Sequence, residues 1–277
     1  MKKLLPNLLL AAVFLAGLTL LLYPTISNYV NERHQSHVVS TYESDLAQLP
    51  QEDYGSMLQA AEAYNAELAK NPDRFLQTDE DDAKYQAQLN PTQNGIMGFV
   101  EIDAIRVKLP IYHGTDDSVL QVGVGHIEGT SLPVGGTGTH SAISGHRGLP
   151  SAMLFTDLDK LKVGDTFRIH TLDQVLTYRI DQILVVEPSD LSALEIDPAQ
   201  DYCTLVTCTP YGINSHRLML RGVRTQNAAE PAATVPVSTE EPEAYASTAA
   251  LVAIGILILA AILLTRSLIR SRQESHL

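Results

Sequence analysis

The sequence predicts a mainly β domain, a small barrel or sandwich, preceded by helices and flanked by two transmembrane helices. Three observations carry that prediction. Eight short runs between residues 95 and 226 are rich in Val, Ile, Leu, Thr and Tyr and are bounded by Gly, Pro, Asp or Asn, the pattern of short strands joined by turns. In residues 28–71 the period is helical instead: Met57, Ala61, Tyr64 and Leu68 recur at i, i+4, i+7 and i+11. Two stretches, 8–23 extended by Leu4 and Leu5, and 247–264, are free of charge and long enough for the roughly 30 Å of a bilayer core.

Residues 1–24 read as an N-terminal anchor. Lys2 and Lys3 precede it, and Arg266, Arg270 and Arg272 follow the second span, 247–265, so the positive-inside tendency places both termini in the cytoplasm and the middle outside. A cleaved signal peptide shares the basic start and apolar run, but no small-x-small site follows closely, which favours an uncleaved anchor. Residues 25–94 form a helical region that Pro50 divides into two helices. Within it, 71–93 is polar and without steady period, and reads as a long loop or flap.

The β domain is assigned to 95–226, with strands at 98–102, 107–112, 141–144, 166–170, 175–181, 183–186, 202–207 and 217–224. Residues 151–160 have a helical character, and 120–124 read as a short helical turn. Segment 227–246, rich in Ala, Pro, Glu and Thr, suits a stalk, and 266–277 is a basic cytoplasmic tail. The formal net charge of −13 argues against a nucleic-acid partner, since phosphate binding needs a basic stripe.

Two cysteines in an exported domain ordinarily pair. Here Cys203 and Cys208 lie on one extended run, roughly 16 Å apart at strand rise, whereas a bridge needs Cα atoms within about 7 Å. Their odd separation also turns them to opposite faces. One packed and one free thiol follows.

Cys208 ends the run 204–208, TLVTC, next to a Pro210-Tyr211-Gly212 turn, so a thiol sits at a strand end beside a loop. As a nucleophile it would need a histidine to serve the leaving amine and a cation for the oxyanion; as a small apolar residue it would simply fill core. His146, in ISGHRGLP, follows a strand; His216 competes because it is close to Cys208 in sequence. Alternation sends His216 and Arg217 to opposite faces, so only one can point at the thiol. Arg217 and Arg221 share a face, and Arg217 is nearer the turn; a solvated face is the alternative for both. A metal site from His140, His146 and Cys208 lacks the short paired spacings of structural zinc, and GVGHIEG does not sit in a βαβ unit as a phosphate loop would.

These blocks resemble one family. TLVTC at 204–208 is similar to the TLxTC signature of the sortases, and its extension CTPYGINSHRLMLRG resembles the pilin-polymerising class C. LPIYHGT (109–115), VGHIEGTSLPVGG (124–136) and THSAISGHRGLPSAMLFTDLDKL (139–161) resemble class blocks in the same order. The resemblance implies an eight-stranded closed sortase-type barrel, with Cys208 as nucleophile forming an acyl thioester, His146 as general acid/base and Arg217 as oxyanion or substrate stabiliser. It implies cleavage of an LPXTG-type sorting signal between Thr and Gly and joining to a lysine amine of a pilin subunit, without cofactor or metal. Two alternatives share the chain's features: anchoring of surface proteins to a cell-wall amine, and a non-catalytic membrane-tethered module. The class usually carries a lid with an Asp-Pro-aromatic triplet. Residues 71–90 lack it, because Pro72, Asp73 and Phe75 stand in a different order, so Phe75 is a candidate plug and no lid residue is assigned.

Overall fold

The computed structural model describes residues 4–76 and 78–227. Residues 4–30 and 31–227 belong to separate compact units. Helix α1 (Leu4–Leu46) contains the first apolar stretch, and its Leu9, Leu10, Leu20 and Leu21 are at least two-thirds exposed (67%, 71%, 77% and 74%). Such a run of bare leucine is costly in water and favourable in lipid. It is the single helix long and apolar enough to cross a membrane among the described residues. The expected stalk and second span, 227–246 and 247–265, lie outside the described residues apart from Asn227.

In the second unit eight strands close into a barrel: β1 (Ile96–Ile102), β2 (Val107–His113), β3 (Val124–His126), β4 (Thr139–Ser144), β5 (Thr166–Thr171), β6 (Gln174–Val186), β7 (Asp201–Thr209) and β8 (His216–Arg224). Their order around the barrel is β1-β2-β3-β4-β7-β8-β6-β5. The β2–β3 and β4–β7 pairs are parallel, and every other pairing is antiparallel. Closure removes free sheet edges.

Period-2 alternation sorts the side chains into two clusters. Ile143, Cys203, Leu205, Leu218 and Leu220 point into the main core with Ile111, Phe167, Ile169 and Tyr178. Their neighbours Ala142, Val206 and Met219 point outward into a second cluster with Leu184 and Val186. Residues 203–207 of β7 are consequently buried without a break, because the strand is covered on both sides.

Three buried polar side chains fasten the N-terminal helices to the barrel. The hydroxyl of Tyr42, on α1, donates to Met97 O at 3.0 Å and accepts from Leu172 N at 3.1 Å. Asn65, on α2 (Gln51–Leu68), accepts from Leu132 N at 2.7 Å and donates to its carbonyl at 3.1 Å, as a paired strand would. Tyr85, on α3 (Asp79–Gln86), accepts from Gly114 N at 2.9 Å and faces His126 Nδ1 at 3.0 Å. Burial pushes the Tyr42 hydroxyl up to about 12, which keeps it neutral.

Several expectations need correction. Residues 71–93 are not one long loop, because α3 forms within them. Thr78 and Asp81 make a reciprocal capping box, and four acidic residues in the first turn suit the helix dipole. The runs 175–181 and 183–186 are a single strand, β6, interrupted by a register shift between Ile180 and Gln182. Residues 120–124 hold the end of a four-residue helix, α4 (Asp117–Leu120), and the start of β3, a strand missing from the expected set. Only a 3-10 turn at Leu158–Lys160 forms within 151–160, where Leu154 adopts φ 41°, incompatible with a continuous helix. Pro50 does separate α1 from α2, and Ala61 and Leu68 of the predicted face are buried.

Replacing Tyr42 by Phe leaves without partners the Met97 carbonyl on β1 and the Leu172 N–H in the turn between β5 and β6. Urea unfolding of the Tyr42→Phe protein is expected to show a loss of about 2 kcal/mol with little change in slope. An unchanged midpoint would mean that the helix is held by apolar contact alone.

Candidate active site

Cys208 follows Val206 by two residues on β7 and so shares its outward face; it is half-buried and free. Its partner across the antiparallel β7–β8 ladder is Arg217. Directly opposed residues in such a ladder stand about 4.5–5.5 Å apart at Cα, so register alone sets the guanidinium stem beside the thiol. The parallel β4–β7 pairing ends at Ser144 and Val206, but its hydrogen bonding continues one residue further. Gly145 N donates to Val206 O at 3.0 Å, and Thr207 Oγ1 donates to Gly145 O at 2.8 Å. His146 therefore leaves the sheet alongside the end of β7, where Cys208 lies.

Gly145 is needed where it stands. A Cβ added there would lie 2.7 Å from the Phe155 ring and 2.8 Å from Val124, so the chain can pass only with no side chain. Phe155 N in turn donates to His146 O at 3.1 Å and holds the loop from below.

Competing residues are occupied elsewhere. His216 turns to Glu187 at 3.2 Å and to Ser215. Arg221 is held by Asp181 through two hydrogen bonds, at 3.1 and 2.8 Å, with its guanidinium 4.3 Å over the Tyr202 ring. Arg217 makes no ion pair with another described residue; its hydrogen bonds go to the carbonyls of Asn214 and His216. The imidazole of His146 makes no hydrogen bond to another described residue, in contrast to His113, His126 and His140, whose two ring nitrogens are both engaged, and to His170, whose Nε2 meets Glu101.

His140 has Glu195 O at 2.8 Å on Nδ1 and Thr204 Oγ1 at 2.7 Å on Nε2, so neither nitrogen is open to a metal. No group of three His, Cys, Asp or Glu with metal-holding geometry occurs among the described residues. Burial pushes the imidazoles of His126 and His140 down to about 4, and it pushes the Cys203 thiol up, away from the thiolate a nucleophile needs.

The second outward cluster extends from this point along the same face. Its far wall is the β6–β7 connection, through Ala193 and Leu194, and Phe75 packs into it from the segment before α3. Arg74 fixes that segment to the β3–β4 and β6–β7 connections, donating to Gly129 O at 3.1 Å and to Leu194 O at 3.0 Å. Sequence reasoning named Phe75 but gave no reason to expect Arg74, which lies over the Phe75 ring and donates to two carbonyls distant in sequence.

A sortase-domain family model matches residues 100–225. Sortase C1 from Streptococcus agalactiae superimposes with a TM-score of 0.67 and 45% identity, covering 69% of this chain and 100% of that one. The chain belongs to the sortase family. This family is one of cysteine transpeptidases, and the solved neighbours are sortases of the C class. Sortase C from Streptococcus pneumoniae, whose structure bears on catalysis and pilin substrate specificity, gives a TM-score of 0.62 at 43% identity, covering 70% of this chain and 99% of that one. Sortase D from Bacillus subtilis is 30% identical over 131 residues, 47% of this chain and 63% of that protein, so the match spans less than two thirds of this curated relative. The expected barrel is thus the one observed.

The seat of the β6–β7 wall on His140 is sensitive to acid. A histidine held down at about 4 is neutral when folded, while its unfolded counterpart takes a proton near 6.5. The stability it permits is full above pH 6.5, falls progressively as pH drops below that value and is lost by about pH 4. Between pH 7 and pH 4.5 the native protein is expected to lose on the order of 2 kcal/mol more than His140→Gln in urea unfolding. Equal losses would show that this ring does not titrate with unfolding.

Proposed function

We propose that this protein is a membrane-anchored class C sortase that cleaves an LPXTG-type sorting signal between Thr and Gly and transfers the acyl chain to a lysine amine of a pilin subunit. The observation that supports this most strongly is the register pairing of Cys208 with Arg217 on the outward face, with Gly145, the residue before His146, hydrogen-bonded to Val206 and Thr207 of the same strand. In this reading Cys208 is the nucleophile, His146 the general acid/base and Arg217 the oxyanion stabiliser.

The steps follow from those positions. The Cys208 thiolate adds to the threonine carbonyl, and Arg217 hydrogen-bonds the oxygen as it gains charge, a task for which a planar, permanently charged guanidinium is suited. The C–N bond to glycine then breaks, and the leaving amine takes a proton from the His146 imidazolium, which leaves a thioester. A lysine amine adds to that thioester and gives its proton to His146. The C–S bond breaks, the thiolate is restored and an isopeptide bond remains. One amide is exchanged for another, so no ATP or metal enters the balance.

The apolar outward cluster supports binding of the sorting peptide there, along the face that ends at Cys208. Phe75 occupies part of that face, so the segment at 72–76 acts as a lid and must move before a peptide can lie down. The proposed domain plan keeps the anchor at 1–24, the helical region at 25–94, the catalytic barrel at 95–226, the stalk at 227–246, the second span at 247–265 and the basic tail at 266–277. The barrel then works outside the membrane, with both termini in the cytoplasm.

Intact-mass spectrometry of the purified protein incubated with an LPXTG peptide tests the assignment. The expected product is a thioester adduct that maps to Cys208 and is absent from Cys208→Ala, although Cys203 remains. An adduct that persists in Cys208→Ala, or an unmodified wild-type protein that nonetheless cleaves the peptide, would overturn it.

A further inference from the structure

The proposed chemistry requires two chain segments that no strand ladder joins directly to keep a fixed separation. One is the loop after β4, which carries His146. The other is the turn after β7, residues 210–212, which begins just beyond Cys208. Arg147 is the next residue after the histidine, and its side chain reaches toward that turn.

The guanidinium of Arg147 lies 5.7 Å from the centre of the Tyr211 ring. On its other side it is ion-paired with Asp159, from the 3-10 turn Leu158–Lys160. The Arg147 side chain is only 9% exposed, whereas Asp159 is 46% exposed, so the arginine is the sheltered member. Gly148 extends the same contact: its φ is +77°, and a Cβ added there would come within 2.9 Å of the Tyr211 ring. The ring therefore rests flush on the backbone beside Arg147. The segment supplying Asp159 already grips the loop, since Phe155 N donates to His146 O at 3.1 Å and Gly148 N donates to Thr156 Oγ1 at 3.1 Å.

We propose that Arg147 is a positioning residue for the reaction, a clamp that ties the His146 loop and the Asp159 turn to the turn that follows Cys208. It touches none of the reacting atoms. Its effect is to hold the imidazole at a constant distance from the sulfur through the Tyr211 contact. Guanidinium fits this role because it stays charged, offers a flat face to the ring and keeps donors at its edge for the carboxylate. Lysine at this place could keep the ion pair but has a single ammonium to share between the carboxylate and the ring. The proposal rests on the reading of Cys208 and His146 as the reacting pair.

The test is steady-state kinetics of the full chain in detergent with an LPXTG peptide, together with the pH–rate profile and a thermal melt. Arg147→Ala is expected to lower kcat about 10- to 100-fold, as displacement of a catalytic group by about 1 Å does, while KM moves less than about twofold. Its pH–rate profile should shift relative to wild type. Arg147→Lys should recover only a minor part of the loss. Tyr211→Ala, at an exposed turn, should reproduce the kcat defect, and the double variant should be no slower than either single one. If Arg147→Ala fails to fold, Tyr211→Ala alone carries the kinetic test. A lowered melting temperature with kcat and pH profile intact would overturn the proposal, as would independent, multiplying effects of the two substitutions. Cys208→Ala measured alongside separates the two levels: turnover by that variant removes the reacting pair itself, whereas its inactivity with an unimpaired Arg147→Ala removes only the clamp.

Discussion

The register between β7 and β8 is the constraint on which the rest depends. A slip of one residue would turn Cys208 into the barrel and bring Cys203 out, and it would separate the thiol from Arg217. Inside, Leu205 faces Leu220 and Thr207 faces Leu218; outside, Val206 faces Met219, so a one-residue slip of β8 would break both packed sets and turn the charged Arg217 into the barrel. Closure of the barrel reinforces this. With β8 also paired to β6, along Val186–Arg217 through Tyr178–Arg224, the strand is fixed from both sides.

Around that ladder the polar contacts fall into two groups with different work. Tyr42, Asn65 and Tyr85 are buried and meet backbone atoms, which ties three helices to the barrel without relying on surface charge. Near the outward face the contacts instead hold loops: His140 and Arg74 take the carbonyls of Glu195 and Leu194, and Arg147 joins Asp159 to Tyr211. A rigid sheet carries the thiol and the guanidinium of Cys208 and Arg217, and fastened loops carry the His146 imidazole and pack Phe75 against the outward cluster. This division suits the proposed reaction, whose reacting groups must stay fixed while the segment carrying Phe75 moves.

Much of the barrel was legible because its strands are long, β-branched and bounded by turn residues. What escaped had a weak local signal. The strand β3 is three residues with a central glycine, and its place depends on pairing to β2 and β4, which sequence does not display. Helix α3 is almost wholly polar, so it shows no amphipathic period; a capping box and the single buried side chain Tyr85 define it. The runs 175–181 and 183–186 read as two strands because the polar pair Asp181-Gln182 interrupts the apolar alternation, whereas β6 absorbs it in a register shift beside which Asp181 reaches Arg221. At the site, opposite faces for His216 and Arg217 followed from alternation. Nearness to the turn favoured Arg217 over Arg221, and the structure adds what the sequence could not display, the carboxylate of Asp181 that holds Arg221 from another strand. The resemblance of ordered motifs supplied His146, which periodicity alone could not single out.

The most direct test of the central claim is disulfide trapping between the paired strands. Opposed Cα atoms in an antiparallel ladder fall at about 4.5–5.5 Å, inside the roughly 4.4–6.8 Å range a disulfide accepts. Under mild oxidation, Arg217→Cys is expected to crosslink to Cys208 nearly completely, as read by peptide mapping, and His216→Cys is expected to remain reduced. Crosslinking at His216→Cys with none at Arg217→Cys would contradict the register on which this account of the site stands.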